Sequence, residues 1–468
     1  MSGPMALEPG GTENDTLALL LAGTPAHGRC ADHHTLALGA PRHPGPDREA
    51  VSRLAAELAD RIGPAVHPYE VAALLEAEGL TADLIRDRYG HTDLFSLATA
   101  LYGQVPRTFP EPALGADPWR PDHVRSLLRG VLFALPGLAY LLSAPLWHPG
   151  RHAAALIVAG LVSWAWGQGL GHRAHVRMAT GRREAARTLL LGAPVGAALA
   201  TAAAVPSAGA GPVILAAAAQ SLYLAAAGVL LVLARERLLL AALTPLIAGA
   251  AVLPRWDPGP QLRAGLPLLA LLATLAVTGH ALRRARAASA VADGRPPRLL
   301  SSLPYGLFGL AAGLLVLLEG RRAPYAVIAL TLSMGPAEWL LYRYRGLSVA
   351  ALRRAATPSG FLLRSAAVLG LCLLAYLLPL LPAALLTGAE PATLLLLAAT
   401  LWTALLLQAF GAAWPPAAIC LAAAGAACAV ALLHLPPGPV ALPLCCGAAE
   451  LALGACALRL LGRPARHA

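Results

Sequence analysis

Seven residues inside apolar stretches carry side chains with chemistry to offer: Glu338, Gln168, Glu450, Arg129, Arg364, Trp164 and Trp166. An ionisable group in a membrane-spanning stretch is costly, and it is retained for a partner, a proton or a path. Glu338 follows Gly335-Pro336, and proline leaves a helical carbonyl without its donor and bends the helix. That carboxylate is suited to take a proton or a cation, or to pair with Arg129 or Arg364 near the matching ends of other stretches. Glu450 lies in the middle of the last apolar stretch, where holding its charge is costly. Gln168, between Trp164 and Trp166 on one side and a basic segment on the other, offers a sugar one amide and two stacking faces. The same tryptophans equally suit a role as interfacial anchors. Gln220 and Gln408 read as hydrogen-bonding groups between helices.

Other chemistries are excluded. All 36 basic residues are Arg, so neither a Walker-A lysine nor a Schiff base is available. There is no Gly-x-Ser-x-Gly elbow, no His-x-Glu pair and no pair of carboxylates. The acids between apolar stretches on the Arg-poor side are few: Asp257 and Glu390, with Glu319 at the edge of a stretch. The expectation is therefore no enzyme, no cofactor and no metal. His27, Cys30, His33 and His34 lack the second ligand pair of a zinc finger. The Cys residues at 372, 420, 428, 445, 446 and 456 lie in apolar runs and read as small core side chains.

The elements that must hold these residues are set by composition. The chain has 468 residues, 57% hydrophobic and 13% charged, against about 25% charged in soluble domains. An integral membrane protein is expected, all-α, with about twelve transmembrane helices. The apolar spans run over 126–146, 153–171, 187–206, 211–234, 237–254, 261–282, 299–319, 324–341, 360–381, 391–411, 413–433 and 440–461, each near the ~20 residues a bilayer core demands. Residues 1–125 carry 17 acids and 10 Arg, and residues 126–468 carry 8 acids and 26 Arg. The basic excess lies between spans, so it orients helices rather than marking a nucleic-acid face. With the N-terminus inside, 17 Arg fall in cytoplasmic loops, three in the C-terminal tail and five in outer loops. That places both termini in the cytoplasm of a bacterial plasma membrane.

Ahead of the spans, residues 1–45 are a Gly/Pro/His/Thr-rich tail without a signal peptide. Residues 46–106 have helical apolar spacing and form a small cytoplasmic helical domain. It includes a third helix capped by Thr81 and a fourth capped by Thr92. Residues 107–125 form a Pro-rich linker. Two six-helix bundles follow, 126–298 and 299–468.

Those bundles echo each other. A shift of 170 residues lays Ser163 on Ser333, Gln168 on Glu338, Arg173 on Arg343 and Arg183 on Arg353. An even number of helices per half makes such repeats parallel. Two segments also carry a family likeness. Leu303-Pro304-Tyr305-Gly306-Leu307-Phe308-Gly309-Leu310 resembles the opening of the second half in polysaccharide exporters of the multidrug/oligosaccharidyl-lipid/polysaccharide flippase superfamily. The run from Ser163 to His172, with the basic segment Gly181 to Arg187, is similar to the span 2–3 region of that superfamily, nearest the Pel-type branch. The resemblance implies two bundles forming a V around a central cavity, with alternating access. It implies flippase-like export of a polysaccharide or lipid-linked saccharide. The N-terminal domain and a path poor in charge depart from that pattern. Two other classes stay open: a non-catalytic scaffold or accessory protein of cell-envelope glycan assembly, and a small-molecule transporter. Expected partners are membrane lipids, a lipid-linked saccharide and a cytoplasmic protein for the N-terminal domain, with no nucleic acid.

Overall fold

In the computed structural model the described residues are 47–106, 122–146, 149–208, 211–288, 298–354 and 357–462, and the chain divides into two compact units between residues 118 and 119. The expected tail, its His27, Cys30, His33 and His34, and residues 107–121 of the Pro-rich linker lie outside the described residues.

The smaller unit is built from short, well-capped helices. Asp47 caps α1 (Arg48–Glu57), which breaks at Leu58 into α2 (Ala59–Ile62). Proline opens α3 (Pro68–Ala77), and Thr81 caps α4 (Ala82–Tyr89), which closes on Gly90 in the left-handed region at φ 66°. The cap of α5 (Leu94–Gln104) is Asp93, one residue later than the expected Thr92. The Asp93 carboxylate accepts from the Ser96 N–H at 2.8 Å, and the Thr92 hydroxyl donates to that carboxylate instead of accepting from a helix N–H. The inward residues Val51, Leu54, Leu75, Ile85, Leu97 and Leu101 form the core, the stripe that helical spacing predicts.

The larger unit is helical throughout its described residues. Its first half begins with α6 (His123–Ala134) and α7 (Gly137–Ser143), one span broken at Leu135-Pro136. Next come α8 (Pro149–Thr180), α9 (Arg182–Ala208) and α10 (Pro212–Val232). The fifth span is two short helices, α11 (Glu236–Ala242) and α12 (Thr244–Val252), divided where Pro245 denies an N–H to the chain. The sixth is α13 (Pro260–Arg286).

The second half holds α14 (Leu303–Gly320), α15 (Pro324–Arg353), α16 (Pro358–Leu377) with α17 (Leu380–Thr387), α18 (Pro391–Ala409), α19 (Trp414–Leu433) and α20 (Ala441–Leu461). Among the described residues, ten helical segments are long and apolar enough to cross a membrane. The other two expected spans are the α11–α12 pair and α15, whose last turns are rich in Arg. The described cysteines, at 372, 420, 428, 445, 446 and 456, are free thiols.

Packing repeats between the halves. In the first half α8 packs on α9 and α10, α10 on α13, α12 on α13, and α7 on α12 and α13. In the second half α15 packs on α16 and α18, α18 on α20, α19 on α20, and α14 on α19 and α20. Counterpart spans thus meet counterpart spans, so the larger unit is two six-span repeats. The core of the second half centres on Trp402, Leu397, Leu406 and Leu407 of α18, all fully buried.

The halves meet chiefly through two helix pairs, α6 against α15 and α8 against α14. In span numbers these are 1 with 8 and 2 with 7. The first helix of each half grips the second helix of the other, the arrangement a two-fold axis along the bundle produces.

Candidate functional site

The seam between the halves is built on missing side chains. A Cβ placed on Gly130 of α6 falls 2.8 Å from the Leu332 carbonyl oxygen of α15, and one on Gly335 falls 2.6 Å from the Ser126 carbonyl oxygen of α6. Only glycine allows this approach. Pro336 explains which atom is presented. It lacks the N–H that would bond the carbonyl four residues earlier, and that carbonyl, Leu332, faces the Gly130 backbone.

The second pair is tight as well, though less so. A Cβ on Gly306 of α14 falls 3.3 Å from the Ala165 carbonyl oxygen of α8, and one on Gly309 falls 3.2 Å from the Ala165 Cα. Under the 170-residue shift Ala165 corresponds to Gly335, so one partner of each crossing sits at an equivalent position.

One turn from each crossing stands a polar residue, Glu338 on α15 and Gln168 on α8, both buried. Here the seams differ. Glu338 accepts from Arg129 Nη1 at 2.6 Å. Arg129 also donates through Nε to Glu236 of α11 at 2.9 Å, with its Nη2 2.8 Å from the same oxygen and 3.3 Å from the Leu231 carbonyl. Arg125 donates to Glu236 at 2.8 Å. Arg129, Glu236 and Glu338 are 7%, 6% and 5% exposed. Two guanidinium groups and two carboxylates therefore close a neutral set across the seam. A buried set of this kind gains little net stability over apolar packing, but losing one member strands a charge and costs about 3–5 kcal/mol. His175 of α8 lies within electrostatic reach of Arg129, and Tyr342 within reach of Glu338. Beside them Trp339 donates from Nε1 to His123 Nδ1 at 2.8 Å, a further tie between α15 and α6.

At the α8–α14 seam Gln168 packs its Cγ toward Gly309. His172 stacks on Tyr305 with ring centroids 3.8 Å apart, and its Nδ1 lies 3.0 Å from the Ser302 hydroxyl. This seam is held by stacked rings and an imidazole–hydroxyl contact where its counterpart is held by charge.

The remaining candidates fall elsewhere. Arg364 donates to the Arg354 carbonyl, closing the α15–α16 connection rather than meeting Glu338. Trp166 donates from Nε1 to the Gly192 carbonyl at 2.8 Å and packs over Gly196 of α9. The Trp164 Nε1 is buried without a hydrogen-bond partner. Gln220 donates to the Leu156 carbonyl at 3.1 Å, joining α10 to α8. Glu450 of α20 accepts from the Thr403 hydroxyl at 2.9 Å, and its other oxygen is buried without a partner. It belongs to the core of the second half, apart from the seam.

The sequence offered Arg129 or Arg364 as the partner of Glu338, of which the structure has Arg129, and did not mark out Glu236 or Arg125. Glu236 sits in Arg235-Glu236-Arg237, where three charges at a span boundary look like loop. A carboxylate between two arginines at a helix start was the available signal. Among the described residues no group of three or more His, Cys, Asp or Glu could hold a metal ion.

No protein-family model and no curated protein matches the sequence. Among solved structures the chain is similar to a MATE transporter in complex with MaL6, at 15% identity, 73% of this chain, 98% of that chain and a TM-score of 0.42. It is similar also to a MOP superfamily transporter from Pyrococcus furiosus, at 14% identity over 73% of this chain and 97% of that one, TM-score 0.39. An outward-facing multidrug resistance MATE family transporter gives 14%, 73%, 96% and 0.39. Likeness this loose assigns no activity to the chain.

Proposed function

We propose that the chain is a multi-pass transporter of the multidrug/oligosaccharidyl-lipid/polysaccharide flippase type, working by alternating access in a bacterial plasma membrane with both termini in the cytoplasm. The observation that carries this reading is the reciprocal grip of the halves. Two repeats with the same internal packing, joined through exchanged helix pairs, have two related ways of leaning on each other. A membrane scaffold needs no such duplication. In this reading the ion-paired seam is a gate member: Arg129 bonds both halves at once, so separating them at that end must break its bond to Glu338. Glu338 is then the proposed coupling residue, with Gln168 its uncharged counterpart and Trp164 beside it on the other seam.

The proposed cargo is a polysaccharide or lipid-linked saccharide. The two sequence segments that resemble polysaccharide exporters, around Ser163–His172 and Leu303–Leu310, are the two that face each other at the α8–α14 seam, which supports reading them as one functional surface. The test is deletion of the gene with surface glycan and lipid-linked sugars measured by mass spectrometry. Loss of a surface glycan with its precursor accumulating inside is expected. An unaltered profile, in a strain with no second exporter, rejects the saccharide cargo.

A second reading, an accessory protein that recruits a partner, draws on the smaller unit. Val66, Tyr69 and Phe95 are exposed there, with Tyr69 and Phe95 edge-to-face at 5.6 Å. A Phe95→Ser variant that keeps export intact but loses a co-purifying protein favours it.

A further inference from the structure

At the end of the bundle away from the Arg-rich connections, the last turn of α14, the last turns of α19 and the start of α20 border an open cavity of about 440 Å³. Its walls are apolar, with Leu318, Leu435 and Leu442 among them, and Arg321, Arg322 and His434 stand in its lining. That volume is within the ~300–1,000 Å³ of small-molecule sites, and a few polar groups on an apolar wall are their usual design.

The basic groups are placed rather than trailing. Arg322 donates to the Pro439 carbonyl, which fixes its guanidinium across the opening. The buried Glu319, one turn back, lies within electrostatic reach of Arg322 and offsets some of its charge. Arg321 has no ion-pair partner among the described residues. Neither Glu319 nor Glu390, which lies within electrostatic reach of it, is in the lining, where Arg321 and Arg322 are the charged groups. Another arginine at this end of the bundle, Arg263, differs: it is paired with Asp257 at 2.6 Å.

We infer that this pocket binds the headgroup of an anionic phospholipid, with Arg321 and Arg322 on the phosphate and the apolar wall against the first carbons of the acyl chains. The exposed Leu432, Leu433 and Leu444 flank the cavity on α19 and α20, a surface suited to acyl chains. A free inorganic anion would use the arginines and leave the wall bare. Arginine is the better partner for phosphate because its donors are forked and permanently charged. The site does not depend on the transport reading, since a scaffold of the same fold would carry it equally.

The test uses the full-length protein, purified in detergent and stripped of lipid. Thermal unfolding is followed with phosphatidylglycerol, phosphatidylcholine or inorganic phosphate added. Phosphatidylglycerol is expected to raise the midpoint while the other two do not. In the Arg321→Gln/Arg322→Gln variant its apparent affinity, read from the shift relative to that variant's own lipid-free midpoint, should fall at least tenfold. Ala431→Trp, at an exposed position lining the cavity, fills the space without touching charge and should act alike, so the inference survives a failure of either variant to fold. Equal shifts from both lipids overturn it, as does a phosphatidylglycerol shift that persists in both variants. A shift reproduced by inorganic phosphate assigns the pocket to a free anion and overturns the lipid.

Discussion

Arg129 answers to carboxylates in both halves, and that sets what its loss does. Glu338→Gln leaves two arginines facing one buried carboxylate, so thermal stability in detergent should fall by about 3–5 kcal/mol, the cost of a stranded buried charge. Arg129→Met/Glu338→Met removes one charge of each sign and leaves Arg125 with Glu236. Most of the stability should return in that double variant while the proposed transport stays impaired. Export restored along with stability would mean that the pair only holds the fold. The sequence supplied half of this cluster. An acid after Gly-Pro in an apolar stretch is conspicuous, and so is an arginine seven residues into a helix. Glu236 and Arg125 were hidden by their arginine-rich or proline-rich surroundings, since a charge beside other charges gives no hint that folding will bury it. Trp166 shows the reverse limit, because only the structure reveals that its N–H is engaged by Gly192 of α9.

Helices were legible where apolar length decided them and misjudged where it did not. The second and eighth spans were expected to stop near 171 and 341, at the first arginines, whereas α8 and α15 run on to Thr180 and Arg353. Arginine is a good helix former, and the chain stops only at Gly181 and before Thr357-Pro358. The breaks at Pro136 and Pro245 are proline effects that a count of apolar residues smooths over. Glycine makes the element-scale prediction sharp. Gly335→Ala puts a methyl against the Ser126 carbonyl and should lower the unfolding midpoint and the yield of folded protein. Gly425→Ala, in α19 with nothing within 4 Å, should leave the midpoint unchanged or raised, because alanine is the better helix former. Equal effects from the two would remove the close crossing from the account.

The smaller unit offers a titration. The Ser96 N–H, and after it the Thr92 hydroxyl, hold the Asp93 carboxyl below its ordinary value. Its contribution is therefore complete above the unfolded value, about 3.9, and is lost as pH falls through the lower folded value. Asp93→Ala should lower the midpoint of residues 47–106 at pH 7, with a gap to wild type that narrows as pH falls below the unfolded value of about 3.9. A gap independent of pH would assign the loss to helix propensity rather than to the charged cap.

For the whole molecule, the repeat is visible in the sequence as four aligned pairs, and the seam accounts for three of them. Ser163, Gln168 and Arg173 lie on α8, and Ser333, Glu338 and Arg343 on α15, the helices that each half offers to the other. What the sequence could not supply was the exchange of partners, since apolar helices without charge look alike in composition. Each half has core clusters of its own, so two separately expressed chains, cut between residues 288 and 298, should assemble in one membrane and co-purify. Glu338→Arg, which sets like charges against Arg129, should reduce the recovered pair several-fold. Undiminished recovery would show that the glycine crossings alone suffice.

The lengths of α8 and α15 have a mechanical consequence. At 32 and 30 residues they are about 48 and 45 Å long, well beyond a ~30 Å hydrocarbon core. Each crosses its partner near its middle, at Ala165 and at Gly335. Each is therefore a lever pivoted on a bare backbone contact, with an arm of at least about 22 Å reaching the arginine-rich end. A tilt of about 10° at the pivot sweeps its tip through about 4 Å while the glycines at the crossing barely move.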